Sequence, residues 1–387
     1  MVERPLREIV FEDIGIDCDG VLRATVIRDG DNRDEFWVRL PYTFSPRADL
    51  IAIVFALIAG RAFDGITIDL PVGDRLRAAI EAYTQADLTC QSGADVRRKP
   101  GDTAALNFSG GYDSLAALAV LDAPVLISLD FGGRFARERA AFVPFSGFVF
   151  ETNLVDLKLN RYGHDFMAVG SVLLRDELSI SRTHYGSILG ASLPSVLKGP
   201  SRGPEARERL LNEVGIQLTN PVAGVTEIGT MKIVAKTRPA LFTSTLATVA
   251  NPREEKFTRK GQLLAAVSEE LHLGLAIPEV VPSRQPAVWG ANFTTDLSSL
   301  YVMSRLGVGP VSESYAGGIP KTVAREVGDL DFTFYGRFNP HAYSFVSDEI
   351  LAEWMARMVN VGIVPYERDD WAAANHVCEL IRSSGMG

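Results

Sequence analysis

Leu106-Asn107-Phe108-Ser109-Gly110-Gly111-Tyr112-Asp113-Ser114 is the stretch that decides how this chain is read. Ala104 to Phe108 is a short apolar run of the kind a buried strand requires, and Leu115 to Leu121 is an apolar run read as helix. Between them, Gly110 and Gly111 lack a Cβ, so they accept unusual φ values and let the backbone approach a ligand closely. Their N–H groups, with those of the helix start, make a concave donor set for an anion. Ser109 and Ser114 add hydroxyls. Asp113 stands at the helix start, where a carboxylate caps the helix or reaches a metal ion.

Working outward, Pro124 to Leu129 and Phe148 to Thr152 read as further strands and Phe166 to Asp176 as helix. Ile180 to His184 reads as another strand, ending at Tyr185-Gly186-Ser187. Strands alternating with helices imply a parallel sheet with covered faces, whose ligands bind beyond the carboxyl ends of the strands. Ser109-Gly110-Gly111 and Gly186-Ser187 both fall at such ends. Upstream, Ile9–Phe11, Val21–Ile27 and Phe36–Leu40 read as strands, with Asp29-Gly30-Asp31-Asn32 as a solvated hairpin tip. Residues 47–60 and 74–84 read as helices, and Gln91 to Asp102 as a linker. Beyond residue 250 strand signals fade. Residues 260–271, 295–306 and 347–361 read as helices between Gly/Pro-rich loops such as Val308–Pro320. The expected organisation is an N-terminal α+β domain over residues 1–100, a ligand-binding α/β domain over 101–250 and a mostly helical region over 251–387.

Composition narrows the function classes. The chain has 39 basic and 48 acidic residues, a net charge of −9, which argues against a broad nucleic-acid surface. Cys18, Cys90 and Cys378 are far apart and no CxxC occurs, so neither a disulfide scaffold nor a zinc site is expected and a reducing compartment fits. Met1 to Pro5 carries no apolar leader core. The most apolar run, Leu50 to Ala59, falls short of the roughly 20 residues that span a bilayer and reads as a buried helix. A cytoplasmic protein without membrane partners is the expectation.

No GxxxxGK[ST] occurs, and GxGxxG is absent after the decisive strand. The segment instead resembles the SGGxDS pyrophosphate loop of the PP-loop ATP pyrophosphatases, in the adenine nucleotide α-hydrolase-like superfamily. Ser109, Gly110, Gly111, Asp113 and Ser114 match all its fixed letters. The resemblance covers roughly residues 103–250. It implies a Rossmann-like parallel sheet, ATP and Mg²⁺ as cofactors, and transfer of AMP to a carbonyl, carboxylate or amide oxygen with release of pyrophosphate. Ammonia, an amine or sulfur then displaces AMP. On this reading Ser109, Gly110, Gly111, Tyr112 and Ser114 hold the pyrophosphate portion. Asp113 and Ser109 serve catalysis, with Asp113 orienting the loop or binding Mg²⁺. Leu129 and Asp130, at the end of the second strand, line the adenine; Gly186 and Ser187 line the ribose and α-phosphate. The acceptor is expected between this core and the C-terminal helical region.

The layout is similar to members that make 7-cyano-7-deazaguanine, which carry a Pro, a Thr-Lys-x-Glu element and four zinc cysteines. Here Pro221 and Thr226 are present, Glu227 stands where the Lys would be and Gly229 where the Glu would be. Phe242 to Leu264, in the place of the cysteine cluster, contains no cysteine. That argues against zinc, against the deazaguanine reaction and against sulfur relay, and favours amide or amine ligation. The alternatives are a degenerate ATP- or AMP-binding sensor or partner subunit, and a nucleobase- or RNA-modifying member. The expected partners are ATP, an unidentified small-molecule acceptor and a second copy of the chain in a homodimer. Lys232, Lys236 and Arg238 read as a solvated basic face, His164 and His184 as packed histidines, Trp354 and Trp371 as core or interface anchors, and His341 as part of an irregular loop.

Overall fold

The computed structural model describes residues 6–28, 30, 32–189, 196–197, 205–252, 254–275, 277, 285–343 and 346–385. Asp29 and Asp31 of the expected hairpin tip lie outside the described residues. The chain divides into two compact units. Unit 1 comprises residues 1–109, 123–185 and 203–219; unit 2 comprises residues 110–122, 186–202 and 220–387.

Unit 1 is an α/β structure built on one sheet. Its strands are β1 (Glu8–Ile16), β2 (Val21–Arg28), β3 (Asn32–Arg39), β4 (Gly65–Val72), β5 (Asp87–Ser92), β6 (Thr103–Asn107), β7 (Val125–Asp130), β8 (Phe148–Thr152), β9 (Ile180–His184) and β10 (Gln217–Thr219). Their order is β10-β9-β6-β7-β8-β3-β2-β1-β4-β5. Only β1/β2, β2/β3 and β3/β8 are antiparallel. The break expected near residue 100 therefore falls inside unit 1, whose sheet is continuous through the pairs Val38↔Thr152 and Arg39↔Glu151.

Three strands escape the sequence reading, β4, β5 and the three-residue β10. Gln91 and Ser92, taken as the start of a linker, are instead the end of β5, paired with Pro71 and Val72. Farther along that stretch, Arg98 is fixed by Asp49 at 2.8 Å and Asp176 at 2.9 Å.

The first helix, α1 (Ala48–Ala59), is apolar all round and buried from Asp49 to its end, as a helix inside a core must be. Phe55 stacks on Phe11 of β1 with ring centroids 4.4 Å apart and meets Phe36 of β3 edge-on. A second helix, α2 (Asp74–Thr84), turns one apolar face inward through Leu76, Ile80 and Tyr83. The strand order β8-β7-β6-β9-β10 reverses between β6 and β9, the kind of point at which open α/β sheets bind ligands.

Unit 2 is helical. It contains α3 (Tyr112–Val120), and later α7 (Glu227–Thr237), α8 (Glu255–Glu270), α9 (Phe293–Leu306), α10 (Asp348–Asn360) and α11 (Arg368–Ser384); α4 (Ala136–Phe142), α5 (Val169–Leu173) and α6 (Ala206–Asn212) belong to unit 1. Among the described residues, no strand of the sheet follows Thr219. Among the described residues, no helix is long and apolar enough to cross a membrane.

Candidate functional site

β6 ends at Asn107 and α3 begins at Tyr112, so the intervening loop is only four residues long. Gly110 takes φ +72°, a left-handed conformation that favours glycine. Gly111 is the N-cap residue and supplies no side chain to the helix start. Ser109 is exposed, whereas Ser114 is buried and donates through Oγ to the Gly111 carbonyl at 3.0 Å. Ser114 thus shapes the loop from below.

At the end of β6 lies a buried polar network that the sequence did not disclose. Asn107 donates through Nδ2 to Thr183 Oγ1 and to the His184 carbonyl, both at 3.0 Å, and accepts from Ser171 Oγ at 2.8 Å. It therefore ties β6 to β9 and α5 at the point where strand order reverses. His184 is buried, with Nδ1 2.7 Å from Thr219 Oγ1. Burial, helped by Arg182, pushes its imidazole down to about 3, so it is neutral at physiological pH. Replacing Asn107 by Leu strands buried donors and acceptors on β9 and α5, and is expected to cost about 3 kcal/mol of stability, read from urea denaturation.

Gly186 meets the start of α3. A Cβ on it would lie 2.8 Å from the Ser114 Cα and 2.8 Å from the Ser114 nitrogen. The Gly110–Ser114 segment and Gly186, both singled out in the sequence, are thus brought into direct backbone contact. Ser187 is exposed, and its carbonyl accepts from Asn220 Nδ2.

The side chains of Tyr112 and Asp113 point to unit 2 neighbours. Tyr112 is buried and donates to the Phe242 carbonyl at 2.6 Å. Its ring carries Lys260 Nζ at 5.6 Å. Asp113 accepts from Thr230 Oγ1 of α7 at 3.0 Å and does not cap α3. Burial pushes its carboxyl up, and Glu227 adds to that push, while Lys260 and the Thr230 hydrogen bond work against it. Among the described residues, no group of three or more His, Cys, Asp or Glu side chains is placed to hold a metal ion.

Glu227 forms the centre of this region. It is buried, bonded to Lys260 Nζ at 2.7 Å and paired with the Arg259 guanidinium. Burial alone would raise its carboxyl, but Lys260 and Arg259 prevail and hold it at about 2. An acid at the start of α7 is therefore buried, and a lysine from α8 reaches it. Lys232, expected on a solvated face, is instead paired with Glu270 at 2.8 Å; Lys236 is exposed as expected.

The end of β7 is organised differently. Asp130 accepts from the Gly132 N–H at 3.0 Å and is paired with Arg139, which also binds Glu151 of the neighbouring strand at 3.0 Å. Its carboxylate thus stabilises a turn and bridges two strands. Leu129 is buried in the core of unit 1. Trp354 is buried and Trp371 packs between His341 and Tyr366. No family model, curated protein or solved structure matches the chain.

Proposed function

We propose that this chain binds ATP at the loop Ser109–Ser114 and cleaves it between the α and β phosphates, transferring AMP to a small-molecule acceptor that ammonia or an amine then attacks. The observation that carries this reading is the loop itself. A strand at the reversal point of the sheet runs into a left-handed glycine and then a helix with no side-chain cap. Such a helix start presents backbone N–H groups and the positive end of its dipole to a phosphate. Ser109, exposed beside it, adds a hydroxyl. Gly186 packs on the loop closely enough to fix its backbone, so that donors are set in place before charge develops on the phosphates. Mg²⁺ would enter with the nucleotide, held by phosphate oxygens and water; no step is assigned to it through Asp113. The role proposed for Asp113 is to orient the loop through Thr230.

The test is an incubation of the purified protein with ATP, Mg²⁺, ammonia and a mixed pool of small acids, amides and amines. AMP and pyrophosphate are followed separately from ADP and phosphate. AMP plus pyrophosphate is the expected pair, and ADP would overturn the reading. Asp113→Asn keeps an acceptor for Thr230 and removes a charge that burial disfavours, so its melting temperature should equal or exceed wild type. Because the loop keeps its Thr230 contact, turnover of this variant should stay close to wild type, whereas Asp113→Ala, which loses that contact, should fall by about 100-fold, the scale of misplacing a positioned group by about 1 Å. Ser109→Ala, at an exposed position, should lower turnover and leave stability unchanged.

A second reading, a binding module without turnover, is favoured by one observation. Asp113, Glu227, Lys260 and Arg259 already satisfy one another through Thr230 and the buried pairs. Tight ATP binding with neither AMP nor ADP formed would select it.

A further inference from the structure

Unit 2 contains a cavity of about 370 Å³ that none of the preceding chemistry uses. Thr258, Gln262 and Ala265 form one wall, spaced so as to share a face of α8. Leu306, Pro310 and Glu313 form much of the other. A narrow recess sharing Thr258, Gln262 and Ser314 continues inward to Arg259, Ser299 and Tyr315. The volume lies within the roughly 300–1,000 Å³ of ligand sites.

The charges on its walls select the guest. Glu313 is exposed at the cavity, and among the described residues no cation pairs with it. The cation on the recess wall, Arg259, is already bound by Glu227 and, at 3.3 Å, by Glu255. Gln262 spends its Nε2 donors on the Pro310 carbonyl at 2.6 Å and Ser314 Oγ at 3.0 Å, so it offers a ligand only an acceptor. Behind the recess, Tyr315 is held by the buried carboxylate of Asp296 and by Ser299, both at 3.0 Å. Acceptors and negative charge therefore prevail, while Ala265, Leu306 and Pro310 supply apolar wall. Among the described residues, a carboxylate entering here would face Glu313 with no available cation.

We infer that this cavity binds a small primary amine, with its ammonium group toward Glu313 and its carbon chain against Ala265, Leu306 and Pro310. Its role, though not its binding, rests on the proposed adenylation: the amine is the nucleophile that displaces AMP. The bound ammonium first loses a proton to water. Its nitrogen pair then forms a bond to the acyl carbon, the bond from that carbon to the AMP oxygen breaks with its electrons going to AMP, and a second N–H proton leaves to water. Arg259 connects the two regions within unit 2, since it lines the recess and pairs with Glu227.

The experiment is a titration without ATP, by saturation-transfer NMR, using n-butylamine, 1-butanol and butyrate as matched probes. Saturable binding of butylamine, at least about tenfold tighter than butanol and without butyrate binding, is expected from a charge-assisted contact to Glu313. Glu313→Gln should weaken butylamine by about tenfold, and Ala265→Phe, which fills the cavity from a half-buried position, should abolish it with the circular dichroism spectrum unchanged. Equal binding of butyrate, unchanged binding in Ala265→Phe, or no saturable binding of butylamine would each overturn the inference. Because ATP is absent, butylamine binding that survives a failed AMP assay would sink the adenylation reading and leave the amine site standing.

Discussion

Gly186→Val is expected to abolish ATP binding while the ten-stranded sheet stays folded. The reason is geometric. A Cβ at residue 186 would sit 2.8 Å from the Cα and nitrogen of Ser114 and 2.9 Å from the carbonyl carbon of Asp113. These are backbone atoms at the start of α3, so no rotamer change removes the clash and the loop itself must move. Overpacking of this kind costs about 1–3 kcal/mol, which the fold of a chain this size absorbs. Binding tolerates it far less, because displacing positioned donors by about 1 Å can cost on the order of 100-fold. Isothermal titration with ATP, alongside circular dichroism, reads both effects. Gly186→Ala should give the same pattern in milder form, its single methyl meeting the same atoms. Wild-type affinity in Gly186→Val would remove the loop from consideration as the phosphate site.

That contact was only half legible in the sequence. Gly110-Gly111 and Gly186 each stood out because a glycine at a strand end marks close backbone approach. Nothing in a linear reading says that the two meet. The same division holds for the fold. Phe148–Thr152, Ile180–His184 and Asp74–Thr84 match the elements read from pattern, since each is a short periodic segment bounded by turn residues. β5, whose Leu88 and Cys90 alternate with the exposed Asp87, Thr89 and Gln91, lies at the sheet edge and offers only two apolar positions to read. β4 escaped because Pro71 interrupts a run otherwise compatible with a strand. α11 was legible in principle: Ala374, Val377, Cys378 and Ile381 repeat at helical spacing and are buried. Least visible were the polar partners. Thr230 lies 117 residues from Asp113, and Lys260 lies on a different helix from Glu227. The one clue was an acid, Glu227, set at the start of a helix whose next residues are all buried.

Glu227 is therefore where the largest loss of stability is expected. Replacing it by Gln removes the negative charge that holds Lys260 and Arg259 in a buried site, leaving Lys260 without its ion-pair partner. Breaking one side of a buried pair costs about 3–5 kcal/mol, more than its net contribution, because the stranded charge remains desolvated. A melting temperature lower by roughly 5 °C is the expected readout. The pH dependence gives an independent check. The folded-state carboxyl of Glu227 is depressed to about 2 from an ordinary 4.5, so its contribution is fully present above pH 4.5 and is lost as pH falls toward 2. Asp113 acts in the opposite sense: its carboxyl is raised, so acidification relieves a penalty that neutral pH imposes. Wild type should thus lose stability on acidification less steeply than Asp113→Asn, which keeps the Glu227 contribution and has no penalty left to relieve. The double variant Glu227→Leu with Lys260→Met removes both charges of the Glu227–Lys260 pair and leaves Arg259 its contact with Glu255. It should be more stable than Glu227→Gln alone, because an apolar pair of similar volume is cheaper to bury than one unpaired ammonium. If instead the double variant falls by the sum of the single changes, Glu227 and Lys260 are independent. The buried pair would then not be what holds α7 and α8 against Tyr112 and Asp113.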